Sequence, residues 1–208
     1  MLLKTASTSA DFKHLYKIKK VLNSEYKISK KSGSGGNIAY QIQVRNSVLA
    51  KDLINLGIQP RKTYNLDVIK IPEKYFFDFA RGFFDGDGTV YICKVNNTPQ
   101  IKAGFISSSL PFIAGFNRQL CSVLKISTKS VHQTNDKRGG IVQYNIYFYV
   151  DDCEKIYKFM YKNASIFLDR KYRIFKKWEN MKSENRRHYI KQNYPSKIGW
   201  QLNMKTAI

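Results

Sequence analysis

One order of elements occurs twice in this chain of 208 residues, and it limits the fold more than any single motif does. In the first half, Ser9 and Asp11 can cap a helix running through Leu22, with Phe12, Leu15, Ile18, Val21 and Leu22 at helical spacing. Residues 25–31 read as a strand, 32–36 (SGSGG) as a flexible hairpin connection, and 38–44 as an alternating strand. A helix over 47–56 stops at Gly57 and leads into a basic turn, Gln59-Pro60-Arg61-Lys62. The second half retraces this path. A strand at 100–107 is followed by a helix at 110–124, a strand at 128–133, a basic tip at 135–140 and an alternating strand at 141–150. Asp151 and Asp152 open a helix through Tyr161, and a second basic segment follows, Phe167-Leu168-Asp169-Arg170-Lys171-Tyr172. Tyr40-Gln41-Ile42 answers Tyr144-Asn145-Ile146, Val21-Leu22 answers Val123-Leu124, and Arg61-Lys62 answers Arg170-Lys171. The expectation is an α+β chain of two pseudo-symmetric repeats.

The stretch PEKYFFDFARGFFDGDG, at 72–88, stands between the repeats. Pro72 suits a first helical turn, and Glu73 opposes the positive end of the helix dipole. Tyr75, Phe76, Phe79, Ala80 and Phe83 recur at helical spacing. Gly82 and Gly86 share one face, and a bare glycine stripe permits close approach of a second backbone. Asp85 and Asp87 fall at the C-terminal end, where the dipole disfavours an anion. Two carboxylates placed there suggest a cation beside them. The strand 89–94 and a turn at 96–99 lead into the second repeat. A counterpart of this helix and strand is missing from the first repeat, where 2–8 supplies the remaining strand and nothing before Asp11 is acidic.

The segment Ala80-Arg81-Gly82-Phe83-Phe84-Asp85-Gly86-Asp87-Gly88, with Thr89-Val90-Tyr91-Ile92 after it, resembles the motif helix of the LAGLIDADG homing endonucleases. Arg81 departs from the usually small residue at its position. The resemblance spans roughly 1–180, most securely 72–180. It implies saddle-shaped antiparallel sheets lying in a DNA major groove, helices on one side, and a central motif helix. It divides the chain into an N-terminally incomplete repeat (1–70), a complete repeat (71–180) and a basic tail (181–208) loosely similar to a partial helix-turn-helix. It implies that Asp87 is the metal-binding acid, that the Gly86 carbonyl is a backbone ligand, and that Asp85 is more often a structural cap than a ligand. It places Lys171, and its first-repeat counterpart Lys62, near the scissile phosphate. The implied activity is site-specific, Mg²⁺-dependent hydrolysis of phosphodiester bonds in a long double-stranded DNA target.

Composition agrees with a polyanionic partner. Lysine and arginine total 36 against 15 acidic residues, a net charge of +21 spread along the chain. No apolar run has the length of a membrane span and no signal-peptide pattern opens the sequence. Cys93, Cys121 and Cys153 lack paired spacing and read as reduced packing residues, and the three histidines are too scattered for a histidine metal site. Alternation along the strands puts Tyr26, Ile28 and Lys30 on one face and Lys27 and Ser29 on the other. It puts Gln41 with Gln43, and Gln143 with Asn145 and Tyr147. Amides read adenine edges and basic side chains read guanine. The candidate DNA contacts are Lys27, Lys30, Gln41, Gln43, Lys94, Asn96, Lys102, Lys129, His132, Gln133, Lys137, Arg138, Gln143 and Asn145.

One motif helix offers one metal-binding acid, so double-strand cleavage by this chain alone is expected to be impaired. A homodimer through the Gly82/Gly86 face, or a helix supplied by another polypeptide, would restore the pair. The alternatives are a DNA-binding protein of the same fold without cleavage, a degenerate nuclease or regulator, and an RNA-binding intron maturase. Rich use of lysine, isoleucine, asparagine and tyrosine points to an AT-rich genome. The expected setting is the cytoplasm of a bacterium or viral host, with a mitochondrion or chloroplast as the alternative.

Overall fold

The computed structural model of the chain describes residues 4–32, 36–58, 66–69, 71–96, 98–135 and 142–193; for Lys4, 182–183 and 185–193 it describes backbone alone. The first half holds β1 (Lys4–Ser9), α1 (Phe12–Val21), β2 (Ile28–Ser32), β3 (Ile38–Arg45) and α2 (Ser47–Asn55). The second holds α3 (Glu73–Asp87), β4 (Thr89–Val95), β5 (Thr98–Ser107), α4 (Leu110–Leu124), β6 (His132–Asn135), β7 (Val142–Tyr149), α5 (Val150–Tyr161) and α6 (Asp169–Asn193).

Local chemistry sets the helix ends alike in both halves. Asp11, Asn46 and Ser109 accept the backbone N–H of His14, Leu49 and Phe112, which gives α1, α2 and α4 side-chain N-caps. The same three helices end in left-handed residues, Asn23, Gly57 and Lys125. Behind them Ser24, Ile58 and Ile126 donate to Lys19, Leu53 and Cys121 carbonyls at 3.1, 2.8 and 3.0 Å, the six-to-one bond of the Schellman motif.

Both sheets are antiparallel, in the orders β1-β3-β2 and β4-β5-β7-β6. By position, β1, β2 and β3 correspond to β5, β6 and β7. Among the described residues the first sheet has no counterpart of β4 and the first half none of α3. Helices cover one face of each sheet. In the second half Val90, Ile101, Ala103, Phe105, Ile146 and Phe148 point toward α3, α4, α5 and α6, building an aromatic-rich core with Phe76, Phe84, Phe116, Phe175 and Trp178. In the first half the core is small: Leu15, Ile42 and Val44, with Ile18, Ile28, Tyr40 and Leu49 around them. The cysteines are free, and burial pushes the Cys153 thiol up to about 12, as befits a packing residue. No described helix is long and apolar enough to cross a membrane.

Residues 66–69 tie the halves together. Ser109 Oγ donates to the Leu66 carbonyl, Ile69 is buried, and Val68 lies against Gly115 so closely that a Cβ there would stand 2.8 Å from Val68 Cγ2. Across the joint, Lys17 Nζ is 3.0 Å from Asp169 Oδ1 and 4.8 Å from the Phe167 ring centroid.

Three elements differ from expectation. The strand expected from 128 begins at His132, because Asn117 engages the Lys129 backbone instead: its Nδ2 donates to the Lys129 carbonyl at 2.6 Å and its Oδ1 accepts the Lys129 N–H at 3.3 Å. The strand expected from 25 begins at Ile28, since Ser24 Oγ accepts the Tyr26 N–H and the Tyr26 hydroxyl donates to the Arg45 carbonyl at 2.9 Å. The basic segment at 167–172 opens a 25-residue helix, α6, which runs without a break across residue 181.

Candidate functional site

Helix α3 is two-faced. Phe76, Ala80, Arg81, Phe84 and Asp85 are buried. Gly82 and Gly86 are exposed, and a Cβ on either would meet nothing within 4 Å. Asp87 is the last helical residue and is exposed, and the next amide, Gly88 N–H, donates to the Phe84 carbonyl at 2.8 Å.

Beneath the tip, Asp85 Oδ2 accepts the Leu168 N–H at 2.9 Å, one residue before α6. Burial raises its pKa, against the lowering pull of the Leu168 N–H, His14, Lys171 and Arg81. One oxygen of Asp85 thus caps the segment that enters α6. Lys171, in the first turn of α6, is 3% exposed. Its Nζ donates to the Phe84 and Asp85 carbonyls at 2.5 and 2.9 Å. Burial, helped by neighbouring Arg170, lowers its pKa to about 8 against the opposing pull of Asp85 and Asp87. The negative end of α3 thus faces a cation of the chain's own, the Lys171 ammonium. Lys171 does not lie at the surface, where a phosphate contact would need it. Lys62 lies outside the described residues.

Arg81 points to the buried side and satisfies the end of another helix. Its Nη1 donates to the Met160 carbonyl and its Nε to the Ile166 carbonyl, both at 2.8 Å, and Nη2 pairs with Asp78. This accounts for a large residue where the resemblance has a small one: its length is used to reach the end of α5.

A cavity of about 590 Å³ runs along the glycine face. Phe79, Phe83, Phe112, Ile58, Leu66 and Ile69 supply its apolar lining, and Asp87, Ser107, Ser108 and Gln143 its polar lining. The exposed donors at the tip are hard oxygens, the Asp87 carboxylate and the backbone of Gly86. They suit Mg²⁺, which takes few protein ligands and keeps several waters. Among the described residues no three His, Cys, Asp or Glu side chains gather as a metal site.

The uncovered faces of the sheets sort the remaining candidates. On the second sheet, register groups Tyr91–Lys102–Tyr149, Thr89–Gly104–Tyr147, Ile106–Asn145–His132 and Gln143–Thr134 on the face away from the helices. Lys102, His132, Gln143 and Asn145 therefore share one face, on which Asn145 is itself buried at 6% exposure. Lys102 Nζ sits 3.9 Å from the Tyr147 ring centroid and 5.3 Å from that of Tyr149. Partial burial works to lower its pKa, but Tyr149, Tyr91 and Tyr147 together outweigh this and raise it. On the first sheet, Gln41 and Gln43 lie on the uncovered face with Thr8 and Ser29. Gln43 Nε2 donates to Gln41 Oε1 at 2.8 Å, Gln41 Nε2 to Thr8 Oγ1 at 3.0 Å, and Asn145 Nδ2 to Thr134 Oγ1 at 2.9 Å. The amide donors of Gln41, which is buried, and Asn145 are thus held by threonines, and that of Gln43 by Gln41.

Other candidates stand elsewhere. Lys30, Lys94 and Gln133 have the helix-side parity, paired with Tyr40, Pro99 and Tyr144. Lys129 Nζ is 2.7 Å from Asp152 Oδ2 on the helix side. Asn96 forms the β4–β5 turn with a left-handed backbone, and Lys27 is exposed before β2. Lys137 and Arg138 lie outside the described residues. Sequence reasoning missed Tyr91, Tyr149 and Thr8 on the uncovered faces, although the same alternation that exposed Tyr147 would have found them.

No protein-family model matches the sequence. No curated protein matches it either. The structure is similar to a crystal structure of the LAGLIDADG homing endonuclease I-GzeII in complex with its DNA target. The TM-score is 0.53 over 90% of this chain and 81% of that chain, at 11% identity. Two antiparallel sheets, each covered by helices on one face, with the glycine-faced helix α3 packed on the second, give this chain the LAGLIDADG homing endonuclease fold.

Proposed function

We propose that the chain is a site-specific, Mg²⁺-dependent DNA endonuclease of the homing type. The observation that carries this reading is Asp87, exposed at the tip of α3 on a cavity that it shares with Gln143 of the uncovered sheet face. The fold, which this chain shares with an endonuclease solved on its DNA target, and the net charge of +21 support the same reading. Double-stranded DNA would lie across the uncovered faces, its phosphates drawn by lysines and its bases met by Lys102, Gln143 and Gln43, with the buried Asn145 and Gln41 holding Thr134 and Thr8 beside them. Asp87 and the Gly86 carbonyl would hold the ion, with water and phosphate oxygens completing its shell. Held there, the ion would supply Lewis-acid polarisation of a phosphate oxygen.

A binding-only reading is favoured by one fact: Asp87 is the single exposed motif-tip acid among the described residues. The open glycine face and its apolar cavity support a third element of the proposal, that a second helix packs there, from a second copy or from another chain.

The test uses supercoiled plasmids carrying DNA selected on the immobilised protein. With Mg²⁺, nicked product means one working tip, linear product means two, and intact plasmid means binding alone. Asp87→Asn should lower cleavage by at least about 100-fold, with equal or tighter DNA binding in EDTA because a negative charge beside phosphate is gone. Cleavage unchanged by that substitution rejects the site.

A further inference from the structure

We propose that Lys171 is a positioning residue that fixes the tip of α3, and with it the Asp87 carboxylate, from the buried side. The inference rests on the reading of Asp87 as the reacting tip. Two helix ends exchange caps here. Asp85, near the end of α3, gives a carboxylate oxygen to the Leu168 N–H. The Leu168 carbonyl accepts the Lys171 and Tyr172 N–H groups at 3.0 and 3.2 Å, so Leu168 caps the start of α6. Lys171, on that first turn, returns its ammonium to the Phe84 and Asp85 carbonyls. The last carbonyls of a helix have no partner within it, and they mark the negative end of its dipole. The Phe84 carbonyl also accepts the Gly88 N–H at 2.8 Å, so the buried ammonium gives the Asp85 carbonyl a partner and sets a positive charge at the negative end of the helix. The two carbonyls it holds lie two and three residues before Asp87, so their orientation sets the direction in which the chain leaves the helix. Lys171 is itself held: Nζ lies 5.2 Å from the Phe84 ring centroid, and little of the residue meets solvent. Its charge therefore acts on the helix end rather than on the polynucleotide.

Lysine acetylation of the full chain, read by mass spectrometry with and without selected DNA, needs no variant. Lys171 should resist acetylation in both states, while phosphate-contacting lysines change from reactive to protected. A Lys171 that reacts in the free protein and is shielded by DNA overturns the proposal. Lys171→Met should speed hydrogen exchange of the Gly88 amide about tenfold in metal-free protein. It should also shift Mn²⁺-induced broadening of the Gly86 and Gly88 amide signals to higher Mn²⁺ concentration and lower kcat with KM for DNA unchanged. Lys171→Arg, which keeps a cation with several donors, should recover part of each effect. Loss of metal-free DNA affinity in Lys171→Met, with a salt slope reduced by about one, marks a phosphate contact and overturns the proposal. If Lys171→Met does not fold, the acetylation pattern and Lys171→Arg decide. Cleavage by Asp87→Asn at the wild-type rate sinks the parent reading instead, and leaves acetylation and exchange to place Lys171.

Discussion

Lys171 holds its proton less firmly than a free lysine, about 8 against 10.5, because burial disfavours the ammonium. Between those values the unfolded chain binds more protons than the folded one, so this group makes stability rise with pH across that window. In metal-free protein, the difference in unfolding free energy between wild type and Lys171→Met should grow from pH 8 to 10.5. The growth is at most roughly 3 kcal/mol, at about 1.4 kcal/mol per unit, and the difference should be level below pH 7. Urea titrations at several pH values measure it, and a difference that stays level above pH 8 contradicts the buried-ammonium account. At this scale the sequence revealed what is local. Asp87 at a helix end follows from spacing within one element. The partners of Arg81 lie 79 and 85 positions away, at Met160 and Ile166, and no periodicity connects them. The partner of the α3 tip was missed for the same reason: a lysine among 36 basic residues carries no mark that it turns inward.

Among the elements, the link over 66–69 and helix α4 are matched at Gly115. A Cβ there would stand 2.8 and 2.9 Å from the two Val68 methyl carbons. Gly115→Ala should destabilise the chain by about 1–3 kcal/mol through overpacking, and Val68→Ala in the same chain should restore most of that. Denaturant midpoints of the two single variants and the double variant read the coupling. If the double variant is no more stable than Gly115→Ala, the Val68 contact is not the reason for the glycine. Element order was legible because caps and stops are short-range: Asp11, Gly57 and Ser109 work within a turn of their own position. Two strand starts were misplaced where a side chain, Asn117 or Ser24, took a backbone group that a strand neighbour would otherwise hold. Helix α6 was overlooked although Leu168, Phe175 and Trp178 are buried at helical spacing. The dense basic residues between them masked the stripe.

For the molecule as a whole, the repeat read from the sequence is real in topology but unequal in substance. The first half buries Leu15, Ile42, Val44 and Ala50, and leaves Phe12, Tyr16, Val21 and Val48 exposed. The second half owns most of the aromatic core. Cooperative opening should therefore divide at the joint. Native-state hydrogen exchange should give amides of β3 an opening free energy lower than those of β5 and β7 by about 2 kcal/mol or more. Equal protection of the two sheets would mean that the joint, through Lys17, Asp169 and residues 66–69, welds them into one unit. The unequal burial could not be read from composition, because apolar residues recur at matching positions in both halves. Most of the excess positive charge sits on side chains that must lose rotamer freedom when they meet an anion. Lys102 is the exception that the second sheet provides: its ammonium rests over Tyr147 and beside Tyr149 before any partner arrives. Being already restrained, it surrenders less entropy on contact, so its share of an encounter is repaid in dwell time rather than in long-range attraction.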